Sequence, residues 1–292
     1  MLRGLYTPNF TAFKANGAVD FAATKEHGAW LYAQGVTGLV PFGTFGEGSS
    51  LSLKERIRIT RDLADVQGSS ELIPTIISNS YGEILEYIDA VKDLPLSAFM
   101  VIPPSYFRPL PDAGLIDFYK RLVDFSPHNI IAYNIPEAAL TISPEVLAAI
   151  PVWGVKDSSG SMDSVKAFLG TGKKLLVGSD ALLGKAISVG ANGGICGISN
   201  LFPKQMLAAH SMAVAGDFEK AQSIIDSIMG PIGQILGPNP GMSKAIGTLK
   251  TYGKLRGPAD LGFMRPPLPV FPQLDVNDKI FSAAVQHLES LL

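Results

Sequence analysis

Lys156 ends the apolar run Val152-Trp153-Gly154-Val155 and precedes Asp157-Ser158-Ser159-Gly160. A lysine at the end of a buried strand is partly desolvated, which favours the neutral, nucleophilic amine. Such an amine attacks a ketone or aldehyde and forms a Schiff base. The same placement also suits a solvated lysine, or one paired with a nearby carboxylate. Tyr133 ends the apolar run before it, in Ile131-Ala132-Tyr133-Asn134-Ile135-Pro136. Adjacent strand ends would bring its phenol near Lys156. There it could shuttle protons through carbinolamine formation and dehydration, or simply fill the top of the fold.

Three further stretches carry polar chemistry. In Pro41-Phe42-Gly43-Thr44-Phe45-Gly46-Glu47-Gly48-Ser49-Ser50 the glycines permit close backbone approach. The N–H groups there could hold a carboxylate, and Thr44 adds a hydroxyl; an ordinary Gly-rich turn has the same composition. No Gly-Lys-Ser/Thr ending follows, so a nucleotide-binding P-loop is not expected. Tyr106 and Arg108 lie in Pro103-Pro104-Ser105-Tyr106-Phe107-Arg108-Pro109, where Arg108 could grip an acid or phosphate, or be a plain surface arginine. The four histidines, His27, His128, His210 and His287, form no metal-spaced pair, so no metal centre is expected. Cys196 falls inside an apolar run and reads as a small buried residue. No Gly-x-Ser-x-Gly elbow marks a serine hydrolase.

Short apolar runs and longer amphipathic ones alternate along the chain. Strands are expected at 5–10, 38–42, 72–77, 98–102, 130–134, 152–156, 175–178 and 194–198. Several are unbroken Val/Ile/Leu runs, as parallel strands buried on both faces require. Helices are expected at 20–34, 53–66, 81–93, 113–123, 161–169, 181–189 and 203–215, with another opened by Ser143-Pro144. Ser52 and Glu55 stand at capping-box spacing before the second of these. Eight strands alternating with eight helices predict a (β/α)8 TIM barrel over 1–216; the alternative is a doubly wound open sheet. Residues 217–292 predict a C-terminal helical subdomain. Its helices fall at 217–235, 241–252 and 276–291, and the Pro-rich stretch 265–272 forms an extended connector.

Composition narrows the partners. The 292 residues carry 24 Lys plus Arg against 26 Asp plus Glu, a net charge of −2, which removes the electrostatic reason to expect nucleic acid or an anionic membrane. Hydrophobic residues at 47% and charged ones at 17% exclude a disordered chain. No apolar run is long enough to span a bilayer, and the N-terminal residues lack a secretory pattern. A single cysteine rules out an internal disulfide framework and fits a reducing compartment. A soluble, cytoplasmic protein is the expectation.

Taken together and in this order, the motifs resemble the dihydrodipicolinate synthase / N-acetylneuraminate lyase family of pyruvate-dependent class I aldolases. The resemblance covers nearly the whole chain. It is carried by Gly43-Thr44-Phe45-Gly46-Glu47, Tyr133-Asn134-Ile135-Pro136, Gly154-Val155-Lys156-Asp157-Ser158, Gly178-Ser179-Asp180, and Pro238-Asn239-Pro240 with Lys244. It implies that Lys156 forms a Schiff base with pyruvate or a 2-keto acid substrate, and that Tyr133 relays protons with help from Thr44. It implies that the pyruvate carboxylate rests on backbone N–H groups around Thr44 and Phe45, and that Ile195 lines the pyruvate pocket. Tyr106 would reach a neighbouring copy's site, which implies a homo-oligomer, a tetramer or a dimer. No metal or organic cofactor is implied.

Two departures bear on the substrate. Where the lysine-pathway synthase has an arginine for the second substrate's carboxylate, this chain has Ala138, preceded by Glu137. An acidic partner would lose a charge-assisted hydrogen bond worth about 1.5–3 kcal/mol. Phe45 replaces a threonine and removes one hydroxyl from the usual relay. The stretch 43–52 and Asp260-Leu261-Gly262-Phe263-Met264-Arg265-Pro266-Pro267 resemble the 2-keto-3-deoxygluconate aldolase branch. The expected reaction is cleavage of a 2-keto-3-deoxy sugar acid to pyruvate and an aldehyde. The alternatives are dihydrodipicolinate synthase, a related hydratase-aldolase or dehydratase, and, last, a non-catalytic keto-acid-binding barrel.

Overall fold

Strands rich in Val, Ile and Leu on both faces must be covered on both faces, and parallel pairing with intervening helices achieves this. A computed structural model, which describes residues 2–268 and 279–290, shows that arrangement. Nine parallel segments run β1 (Gly4–Thr7), β2 (Gly38–Leu39), β3 (Glu71–Leu72), β4 (Thr75–Ile76), β5 (Ala98–Val101), β6 (Asn129–Asn134), β7 (Gly154–Asp157), β8 (Lys174–Val177) and β9 (Gly193–Ile195). Their order is β3-β2-β1-β9-β8-β7-β6-β5-β4. The two ends of that order are one stretch of chain. The Ile73 and Thr75 N–H groups donate to Leu39 and Pro41, while Ser97 and Met100 donate to Leu72 and Pro74. Residues 71–76 therefore bridge β2 and β5 and close an eight-stranded barrel, the predicted fold.

The expected strand 72–77 is split because Pro74 has no N–H to give. Proline also shortens two others: β1 stops before Pro8, and β2 stops before Pro41 and Phe42, whose φ is 66°. The last strand ends at Ile195 and passes into a 3-10 turn at Gly197–Asn200. Cys196 thus lies just past the strand, buried as expected.

Around the barrel lie α1 (Phe21–Ala33), α2 (Leu53–Ala64), α3 (Tyr81–Val91), α4 (Asp112–Phe125), α5 (Pro144–Ala149), α6 (Met162–Leu169), α7 (Leu183–Ser188) and α8 (Pro203–Val214). The Ser52–Glu55 capping box opens α2. The predicted helix 181–189 is a 3-10 turn, Asp180–Leu182, running into the short α7. Beyond α8 come α9 (Phe218–Leu236), α10 (Gly241–Gly253) and α11 (Lys279–Glu289); α9 packs on α7 and α8, and α11 on α9. Of the predicted connector and final helix, residues 269–272, 276–278 and 291 lie outside the described residues.

Period-two alternation divides the core in two. Tyr6, Val40, Ile73, Met100, Ile131, Leu176 and Ile195 fill the barrel interior, with Leu2 and Trp153 in the same cluster. Alternate residues such as Val155, Leu175 and Val177 face the helices. Tyr133 belongs to the inward set.

Candidate active site

The register of β6 on β7 places Tyr133 opposite Lys156. Both sit at the C-terminal end of the barrel, where strand ends and following loops form a cavity of about 530 Å³. Lys156 is 5% exposed, and its Nζ lies 4.2 Å from the centre of the Tyr133 ring. Thr44, Lys156 and Ser158 line the same cavity as the phenol. Burial pushes the Tyr133 phenol up, but the Lys156 charge, with the polar groups of Ser158, Lys156 and Thr44 around it, outweighs burial, and the net direction is below the ordinary tyrosine value. A phenol so placed holds a proton loosely beside a buried amine, which is the pairing that imine chemistry uses.

One wall is the loop after β2. Its chain reverses sharply, with Phe42 at φ 66° and Glu47 at φ 51°, a left-handed region that non-glycine residues rarely occupy. A Cβ on Gly48 would lie 1.8 Å from the Phe42 carbonyl oxygen, so only glycine fits there. Among the described residues, nothing accepts a hydrogen bond from the Thr44 or Phe45 N–H. Adjacent unpaired N–H groups can receive a carboxylate. Glu47 is fully buried and anchors the loop: its Oε1 accepts from Lys250 Nζ at 2.7 Å, and its Oε2 from the Arg265 N–H at 3.0 Å. Burial pushes the Lys250 ammonium down to about 8 against the opposing pull of Glu47.

The opposite wall is β8 and the turn after it. Gly178 is needed there, because a Cβ would lie 2.0 Å from Ser158 Oγ and 3.0 Å from Lys156 Cε. Asp180 accepts from the Ile198 N–H at 3.0 Å. Burial pushes its carboxyl up to about 6, against that hydrogen bond and the charge of Lys156. The roof comes from the C-terminal part: Asn239, Pro240, Gly241, Met242, Ala245 and Ile246 line the cavity. Lys244 is turned away and donates to the Leu236 carbonyl at the end of α9.

Of the residues singled out in the sequence, Thr44, Phe45, Tyr133, Lys156 and Ile195 all line this cavity. Tyr106 and Arg108 do not. Asn79 Oδ1 accepts from the Ser105 and Tyr106 N–H groups and fastens their loop over the 77–80 segment. Tyr106 is 79% exposed there, with Phe107 packed edge-on against it at 5.5 Å. Three lining features were not anticipated. Ser158 follows Lys156 by two and so shares its face of the strand, a signal open to sequence reading. Glu137 follows the Tyr133 motif directly. The roof is some hundred residues away from Tyr133; its Asn239 and Pro240 belong to a motif noted in the sequence, but nothing local there aims that segment at this cavity. Among the described residues no cluster of His, Cys, Asp or Glu is arranged for a metal, and no helix is long and apolar enough to cross a membrane.

Comparison with known proteins places this geometry. Residues 1–275 match the model of the dihydrodipicolinate synthetase family. The chain is 30% identical to a 4-hydroxy-tetrahydrodipicolinate synthase of Agrobacterium fabrum over 98% of both chains. It is 32% identical to another of Anaeromyxobacter sp., over 70% of this chain and 73% of that protein. Its fold is similar to that of a 2-keto-3-deoxygluconate aldolase variant of Sulfolobus solfataricus, with a TM-score of 0.87 at 22% identity, covering 99% of this chain and 97% of the other. A sialic acid aldolase of Ruminococcus gnavus gives 0.88 at 21% identity, covering 99% and 96%. The chain is a lyase and belongs to the dihydrodipicolinate synthetase family.

Proposed function

We propose that Lys156 forms a Schiff base with the keto carbon of a 2-keto-3-deoxy sugar acid, and that the enzyme cleaves this substrate to pyruvate and an aldehyde. The observation that carries the reading is the buried Lys156 amine held 4.2 Å over the Tyr133 ring in a cavity that also contains Thr44 and Ser158. The amine adds to C2 and gives a carbinolamine. Tyr133 donates the proton with which the C2 hydroxyl leaves as water, and the protonated imine remains. The resulting phenolate takes the proton of the C4 hydroxyl. The C3–C4 bond then breaks, its electron pair passes into the imine as an enamine, and the aldehyde departs. Protonation of C3 and addition of water release pyruvate and restore the amine. The unpaired N–H groups of Thr44 and Phe45 are the seat we assign to the substrate carboxylate, with Ile195 against the methyl end of pyruvate.

The sugar acid is favoured by charge. Glu137 lines the cavity and makes no hydrogen bond or ion pair among the described residues. Its carboxylate accepts hydroxyls of an uncharged chain and repels an anionic one. The second reading, 4-hydroxy-tetrahydrodipicolinate synthase, is favoured by the names of relatives about 30% identical. Its semialdehyde substrate carries a carboxylate that would meet Glu137 and find Ala138 where a cation is needed. We further propose a homo-oligomer in which the exposed Tyr106–Phe107 pair meets a second copy, with Arg108 carried on the same loop. We also propose that α9, α10 and α11 form a helical subdomain of the same active unit, since α10 roofs the cavity.

The decisive experiment is trapping with pyruvate and borohydride, followed by peptide mapping. A reduced pyruvyl adduct on Lys156, absent in Lys156→Ala, is the expected result; an unmodified Lys156 in folded protein would refute the reading. Sugar-acid cleavage compared with semialdehyde condensation then separates the two substrates.

A further inference from the structure

Tyr133 and Lys156 are each followed by a buried polar residue that the reaction above does not use. Asn134 and Asp157 are both 1% exposed, and period two turns them away from the cavity, which neither lines. The β6–β7 register sets them side by side, and Asn134 Nδ2 donates to Asp157 Oδ1 at 2.8 Å. The rest of the Asp157 carboxylate holds the turn after β7. Its Oδ1 accepts from the Ser159 N–H at 3.1 Å, and its Oδ2 from the Ser159 hydroxyl at 2.8 Å. Asn134 Oδ1 reaches the other way and accepts from the Ile142 N–H, eight residues on, at 3.1 Å. Between these two residues runs the loop after β6, whose Ile135 and Glu137 line the cavity. A turn sets its near end, where the Ile135 carbonyl accepts from the Ala138 and Ala139 N–H groups at 3.0 Å. At its far end the Leu140 and Thr141 N–H groups have no acceptor among the described residues, so the Asn134 bond is the polar tie there. A neutral amide suits the position, because one short branch both accepts from Ile142 and donates to Asp157. An apolar residue would leave a buried N–H and a buried carboxylate each short of a partner.

We infer that Asn134 is a positioning residue for substrate selection: locked to Asp157, it closes the loop after β6 and holds Glu137 at the cavity wall against the aldehyde part of the substrate. The inference rests on the Schiff-base reading above and on the role given there to Glu137. Asn134 touches no reacting atom. Its influence passes along the chain from the tied Ile142 to Glu137, and Asp157 acts one step further back by fixing the amide. Tyr133 and Lys156 point to the opposite face of the same strands, so the lock bears on the aldehyde half of the reaction and leaves the pyruvate half in place.

The test has two readouts. The first is amide hydrogen exchange by peptide mass spectrometry, which needs no substrate. Asn134→Ala should speed exchange across 135–142 by about fivefold, the scale of one neutral hydrogen bond. Asp157→Ala should do the same, although the hydrogen bonds of that side chain go to Asn134 and Ser159 and not to the loop. The second readout is selectivity with pyruvate as donor. In Asn134→Ala the pyruvate adduct on Lys156 should still form. The kcat/KM for a carboxylate-bearing aldehyde should rise about threefold to fivefold relative to an uncharged one, up to the effect of one solvent-screened charge at contact. In a Glu137→Gln background Asn134→Ala should leave that ratio unmoved. Exchanging the pair, Asn134→Asp with Asp157→Asn, keeps the net charge and gives up the Ser159 N–H bond alone, so both readouts should return to those of wild type. Unchanged exchange over 135–142 in Asn134→Ala, or in Asp157→Ala should the first variant not fold, overturns the lock. Faster exchange with an unmoved aldehyde ratio overturns the role in selection, because a merely structural role lowers turnover of both aldehydes alike. A wild type that forms no pyruvate adduct would refute the Schiff-base reading and the selection built on it, while exchange still decides whether the lock exists.

Discussion

Replacing Lys250 by methionine should unseat the loop that carries Thr44 and Phe45. Lys250 and Glu47 have side-chain exposures of 2% and 0%, and their charged atoms are 2.7 Å apart. Lys250 Nζ also donates to the Phe263 carbonyl at 2.6 Å, and Glu47 Oε2 accepts from Arg265. Methionine fills nearly the same volume but leaves the Glu47 carboxylate buried with one backbone donor. Removing one partner of such a pair costs about 3–5 kcal/mol, whereas removing both with well-packed neutral residues is often close to neutral. Urea denaturation of Lys250→Met, Glu47→Gln and the double variant gives the coupling directly. We expect a large loss in Lys250→Met, recovered in good part by the double variant, together with a severalfold higher KM for the keto acid. The pH dependence has a definite sign. Lys250 titrates at about 8 in the fold against 10.5 as its ordinary value, so the unfolded chain binds more protons between these pH values. Its contribution to stability therefore rises from pH 8 towards pH 10, and Lys250→Met should lack that rise. A loss under about 1 kcal/mol, the scale of an exposed pair, with an unchanged KM would refute the reasoning.

Two further outcomes can be checked. His27 lies between Phe10 and Trp30 with Nε2 2.9 Å from Asn200 Oδ1, and burial pushes it down to about 4, opposed by the Asn200 hydrogen bond. Its folded value lies below the ordinary 6.5, so its contribution is complete above pH 6.5 and is lost as pH falls towards 4. Wild type should lose more denaturation midpoint between pH 7 and pH 5 than His27→Gln does, and equal losses would count against this. With pyruvate as donor, Glu137→Gln should raise kcat/KM for a carboxylate-bearing aldehyde about fivefold relative to an uncharged one, the factor for removing one solvent-screened charge at contact distance. An unchanged ratio would remove Glu137 from the specificity argument.

The parts of the fold legible in the sequence were those written locally. Unbroken apolar runs revealed the parallel barrel, and the ends of two of them identified Lys156 and Tyr133 as facing neighbours. Strand lengths were overestimated at Pro8, Pro41 and Pro74, although the missing donor of proline is itself a local signal. Ser158 was within reach of the same alternation that aims Lys156. The rest depends on contacts far apart in the chain. Glu47 and Lys250 are separated by 203 residues, and nothing near either one announces the other. The α10 roof has the same origin. Tyr106 and Arg108 follow a strand end just as Thr44 does, but two hydrogen bonds to Asn79 decide that their loop turns outward, and no periodicity encodes that choice.

The tight reversal after β2 has a consequence for how this site can be altered. Gly46 and Gly48 would drive a Cβ to 2.7 Å and 1.8 Å from the Phe42 backbone, and Glu47 is committed to the buried ion pair. Thr44 lines the cavity together with Tyr133. Among residues 44–48, Phe45 is the one whose side chain can change without rebuilding the loop, and its ring in turn occupies the place of a Cβ at Gly197. Shrinking residue 45 opens space at residue 197, and enlarging residue 197 demands a smaller residue 45. New selectivity in this cavity is thus most accessible to paired exchanges at 45 and 197, whereas single steps at 46 and 48 run first into the backbone.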